Sequence, residues 1–134
     1  MLGDWQLHRR VADRRAGLFG TVHGALTLVA DGPAIRWRES GTLRWNGADL
    51  PVTRELVLVE EPGGWQVCFA DGRPFHPWRP GEVVEHPCNA DLYRGFVAAR
   101  PGLLRVLWDV TGPAKDQRIV TRAVRARRCD RPPG

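Results

Sequence analysis

The sequence predicts an all-β fold, a single antiparallel up-and-down β-barrel with little helix. Three observations predict it. Glycine and proline punctuate the chain at short intervals (Gly17, Gly20, Gly24, Gly32-Pro33, Gly41, Gly47, Pro62-Gly63-Gly64, Gly72, Pro80-Gly81, Pro101-Gly102, Gly112-Pro113). The runs between them alternate apolar and polar residues with period two. No long stretch holds a period of 3.6 free of these breakers.

The elements follow in order. Residues 5–11 read as a strand, although 5–16 is the one stretch that could form a helix instead. Residues 18–30 follow. In 34–40, Ile35, Trp37 and Glu39 share one face while Arg36 and Arg38 share the other. A short strand over 42–46 is expected after Gly41. The strand over 50–60 is apolar on both faces from Leu56 to Val59, as a well-covered strand is. In 65–70, Trp65, Val67 and Phe69 oppose Gln66 and Cys68. Residues 73–78 and 82–88 form a hairpin turned by "RPGE", and 91–99 comes next. In 103–111, Leu104, Val106, Trp108 and Val110 oppose Arg105 and Asp109. The turn "TGPAKDQ" leads to the last strand, 117–127. Closing such a meander removes its edges, and eight or more strands leave an interior that can hold a small ligand. The chain shows no repeat, low-complexity segment or linker. Residues 1–128 are expected to form one domain and 129–134 a frayed tail.

The 134 residues carry a net charge of +5, and Lys115 is the only lysine. A basic balance raises nucleic acid as a partner. The arginines are dispersed apart from Arg122, Arg125, Arg127, Arg128 and Arg131, and no aromatic strand makes a stacking platform, so nucleic acid is disfavoured. Cys68, Cys88 and Cys129 are odd in number and lack CxxC spacing, which fits a reducing compartment. The N-terminus has no apolar signal core, and no run approaches the roughly 20 apolar residues of a membrane helix. A cytoplasmic protein without membrane contact is expected. A homo-oligomer stays open.

Two resemblances add to this reading. "GDW" (Gly3, Asp4, Trp5) opens the first strand, and an arginine, Arg122 or Arg125, lies in the last. This resembles the lipocalin and wider calycin pattern, which implies a tryptophan closing the barrel base under a guanidinium from the final strand. Over nearly the whole chain, "GDWQLHRRV", "WRESG", "FADGRPFH", "HPCNADLYRG" and "WDVTGPAKDQRIVTRAVR" resemble the domain-of-unknown-function family 6314. That likeness implies a small barrel and carries no activity. Arg94-Gly95 departs from it, since apolar residues are expected after Tyr93.

The stretch "DGRPFHPWRPGEVVEHPCNADLY" (71–93) concentrates the chemistry. His76, His86 and Cys88 are a metal ligand set only if the hairpin register brings them together; otherwise they are structural. Glu39, by parity, faces inward with Trp37. There it has a raised pKa and serves as a base unless an arginine pairs it, or it lies at the strand end, half in solvent. Arg73 either clamps an anion or pairs with Asp71 in a turn. Asp91 suits a loop or an orienting role. Tyr93 donates a hydrogen bond to a ligand or to backbone. Lys115 is a special amine or an ordinary turn lysine. His8 and His23 read as structural.

Three functions follow. The first is a barrel that binds a small, partly apolar molecule, with Trp37, Phe69, Phe75 and Trp108 as wall and Glu39, Arg73, His76, His86, Tyr93 and Lys115 as polar contacts. The second is an enzyme in the same cavity. It would use His76 or His86 as acid or base with Glu39 or Asp91 orienting, or a His76/His86/Cys88 metal. The third is an interaction module with a packed interior. No cofactor is named by any motif: GxGxxG, GxxxxGK[ST] and GxSxG are absent.

Overall fold

The period-two alternation becomes ten strands in the computed structural model, which describes residues 1–126. The expected tail, with Arg127, Arg128, Cys129 and Arg131, lies outside the described residues. The strands are β1 (Gly3–Asp13), β2 (Leu18–Asp31), β3 (Ala34–Trp45), β4 (Ala48–Glu61), β5 (Gly64–Phe69), β6 (Pro74–Pro77), β7 (Val83–Cys88), β8 (Asp91–Arg100), β9 (Leu103–Thr111) and β10 (Asp116–Arg125). Residues 5–16 form no helix; most of them belong to β1.

One expected boundary is wrong. The strands expected at 34–40 and 42–46 merge into a single strand, β3, that runs through Gly41 and ends at Trp45. Gly41 sits directly opposite Gly24 of β2. A Cβ on Gly24 would overlap Ser40 O, and one on Gly41 would overlap His23 O. The paired glycines let two backbones close on each other, so the ladder continues where the sequence suggested a break.

Every strand is antiparallel to its neighbours, in the order β6-β5-β4-β3-β2-β1-β10-β9-β8-β7. β1 pairs with β10 from Trp5↔Arg125 to Asp13↔Gln117, so the first and last strands lie in the middle of the sheet. The sheet curls into a nearly closed barrel. Its seam lies between β6 and β7, which are consecutive in the chain yet share no ladder, so the hairpin expected over 73–78 and 82–88 does not form. Pro74, Pro77, Pro80 and Pro87 crowd this seam, and proline supplies no N–H to a ladder.

Aromatic side chains bridge what the backbone leaves open. Phe75 of β6 lies between Phe69 of β5 (4.8 Å, 16° between planes) and Trp108 of β9 (5.1 Å, 15°). His86 of β7 and Tyr93 of β8 meet Phe75 edge-on at 5.2 and 6.4 Å. Gly95 makes room for this stack: a Cβ there would stand 2.5 Å from the Trp108 ring. The Arg94-Gly95 departure therefore has a packing reason.

The core runs from Trp5, Leu7, Leu26 and Leu28 through Leu56, Leu58, Val67 and Leu104. At its base the Arg125 guanidinium lies 5.4 Å over the Trp5 ring. Of the two arginines considered, Arg125 makes this contact; Arg122 is exposed, opposite His8 on the outer face.

The glycine contact gives a direct check. Gly24→Ala is expected to cost roughly 1–3 kcal/mol or more in urea unfolding. Gly63→Ala, on an open turn with nothing within 4 Å, is expected to stay within about 0.5 kcal/mol.

Candidate functional site

The interior polar site begins at Glu39, on the inward face of β3. Its carboxylate is 7% exposed and takes four hydrogen bonds. Arg9 of β1 donates two, at 2.8 and 3.0 Å. Arg54 of β4 donates one at 2.9 Å and Trp37 Nε1 one at 2.7 Å. Arg9 also donates from Nε to Thr121 Oγ1 of β10 at 2.8 Å. Burial by itself would raise the Glu39 carboxyl, but the Arg9 bonds, the two guanidinium charges and the Trp37 N–H outweigh it and hold its pKa at about 2. Glu39 is thus ionised at neutral pH and too weak a base to hold a proton there. The expectation of a raised pKa is met by its stated exception, and the strand-end alternative is overturned because β3 continues past Gly41.

Arg9 and Arg54 share this one carboxylate. Arg9 spends three N–H groups on Glu39 and Thr121, whereas Arg54 spends one, and its side chain is 42% exposed. Burial, and the Arg9 charge beside it, lower the Arg54 pKa against the pull of Glu39; a guanidinium stays charged regardless. Positive charge is left in excess.

That excess borders a cavity of about 70 Å³. Arg9, Arg54, His76, Tyr93 and Thr121 supply its polar groups, and Trp37, Phe75, Trp78 and Trp108 its aromatic wall. Phe75 and His76 are consecutive, so alternation sends them to opposite faces, yet both are buried. A β-bulge explains this: Val67 pairs with His76 and Cys68 with Pro74, which leaves Phe75 as the extra residue. His76 Nδ1 donates to Pro77 O at 2.9 Å. Desolvation lowers the His76 pKa, so the ring is neutral and can accept a proton or a hydrogen bond.

The other sequence candidates lie elsewhere. Arg73 is 74% exposed and pairs with Asp71 at 2.7 Å, so it does not clamp an interior anion. Its turn alternative is the observed one. Lys115 pairs with Asp91 at 3.3 Å at the β9–β10 turn and also interacts with Tyr93, but does not itself line the cavity. Phe69 and His86 pack behind Phe75 rather than on the cavity. Cys88 is exposed at the end of β7. The register on which a His76/His86/Cys88 metal depended does not arise, because β6 and β7 are unpaired. Among the described residues no group of three or more His, Cys, Asp or Glu could hold a metal ion.

Arg9, Arg54 and Trp78 were missed. Parity could have found the arginines: Arg9 shares a face with Trp5, Leu7 and Val11, and Arg54 with Val52, Leu56 and Leu58.

Residues 1–125 match a family of unknown function, DUF6314. The chain belongs to that family. No curated protein matches it. For this DUF6314 member no helix among the described residues is long and apolar enough to cross a membrane.

The carboxylate carries a stability prediction. Its folded pKa lies below the ordinary 4.5, so its stabilisation is full above about 4.5 and is lost as pH falls toward about 2. The loss is on the order of 3 kcal/mol, read by urea unfolding across that window. Glu39→Gln should remove this slope and cost about 3–5 kcal/mol at neutral pH, since it strands two guanidiniums. Glu55→Gln, in the exposed Arg38 pair, should cost no more than about 1 kcal/mol.

Proposed function

We propose that the barrel binds a small organic anion, a carboxylate in the simplest case. The observation that supports this is the shared carboxylate: two guanidiniums, one anion, and an apolar cavity alongside. A ligand carboxylate would take the uncommitted N–H groups of Arg54. Its apolar body would lie against Trp37, Phe75, Trp78 and Trp108. Sparse polar groups on an apolar wall are the usual composition of a small-molecule site. The cavity's size limits the enclosed part to a few heavy atoms, so a larger ligand extends toward solvent past Arg54.

Glu39 does not serve the enzymatic alternative, because its oxygens are committed to Arg9, Arg54 and Trp37. The orienting contact on His76 comes from Pro77 O instead.

Tryptophan fluorescence tests the proposal, since Trp37, Trp78 and Trp108 line the cavity. Small carboxylates such as benzoate and propionate should change the emission saturably, while benzamide and propionamide should not. Arg54→Gln should weaken carboxylate binding about 10-fold or more. Equal response to acids and amides would reject the anion site.

A further inference from the structure

Arg54 accounts for a ligand's charge but leaves one cavity group unused. His76 is 5% exposed. Its Nδ1–H is committed to Pro77 O at 2.9 Å, which assigns the tautomer and leaves a lone pair on Nε2. No group among the described residues donates to Nε2. Yet no sealed side-chain nitrogen or oxygen among the described residues lacks a partner. Nε2 is therefore not sealed, and His76 is one of the residues that line the cavity. Desolvation, helped by the Arg54 charge, lowers the His76 pKa against the pull of the Pro77 contact and keeps this nitrogen an acceptor at neutral pH.

A buried acceptor calls for a donor. A ligand can offer an ammonium or a neutral O–H. The excess positive charge of Arg9 and Arg54 over Glu39 opposes an ammonium. We infer that the site takes hydroxy acids: the carboxylate on Arg54, a hydroxyl donating to His76 Nε2, and the apolar remainder along Trp37, Phe75 and Trp108. This inference rests on the carboxylate reading and deepens it. His76 becomes the residue that sets specificity, because a plain acid leaves Nε2 without its donor, and sites built around such a bond discriminate strongly against the analogue that lacks it.

Calorimetric titration of the full chain with matched pairs tests this: benzoate against the three hydroxybenzoates, and propionate against lactate. At least one hydroxy acid should bind about 10-fold tighter than its plain partner. His76→Phe, which keeps an aromatic ring, should bring that ratio close to one. Because a buried substitution can disturb folding, the unmodified protein labelled with ¹⁵N-histidine supplies an independent readout. The His76 Nε2 resonance should move upfield with the preferred hydroxy acid and hold its place with the plain acid. Equal affinities within every pair, a preference that survives His76→Phe, or a preferred acid that leaves Nε2 unmoved would each overturn the inference while the carboxylate reading stands. Failure of every acid to bind would overturn both.

Discussion

Four N–H groups converge on the Glu39 carboxylate, and the polar half of the barrel interior is arranged around that convergence. A buried carboxylate without partners would protonate or be expelled. Here it draws Arg9 from β1 and Arg54 from β4 toward β3 and fixes the Trp37 indole. Through Arg9 it also reaches Thr121 on β10. Five side chains from four strands are thereby set in one geometry. Such a buried network adds less net stability than its bond count suggests, because desolvation offsets much of it. Its larger consequence is electrostatic: one anion leaves two cations incompletely matched beside an apolar cavity.

The second constraint is the seam. Prolines deny β6 and β7 a ladder, and side-chain stacking takes over closure. The Phe69–Phe75–Trp108 stack crosses from β5 to β9 with the rings of His76, His86 and Tyr93 against its edges. Four of these rings, Phe75, His76, Tyr93 and Trp108, also line the cavity. The segment 71–93 is thus both closure and site, and its histidines divide those tasks: His86 packs behind Phe75, while His76 faces the cavity.

The architecture was legible because alternation and turn residues act locally, and β-strands show both directly in sequence. Trp37, Glu39, Val106 and Trp108 could be placed inward from parity alone. Gly41 misled because a glycine that ends a strand and one that lets two strands approach look alike in sequence; only the partner Gly24, seventeen positions earlier in the chain, distinguishes them. Phe75 and His76 sharing the interior was hidden for a similar reason, since a bulge is a property of the pairing between β5 and β6. Arg9 and Arg54 escaped notice because arginine ordinarily lies at the surface. Parity pointed inward in both cases, and Glu39 supplied the reason to believe it. Arg73 drew attention through its crowded neighbourhood, but Asp71 two residues away satisfies it locally.

The central claim is that Arg54 retains binding capacity that Glu39 does not consume. Guanidinium ¹⁵N NMR of the protein, titrated with benzoate at constant ionic strength, tests it most directly. The account predicts saturable movement of the Arg54 resonances, with those of Arg9 little changed. Arg54 resonances that stay fixed while exposed arginines such as Arg73 respond would contradict it.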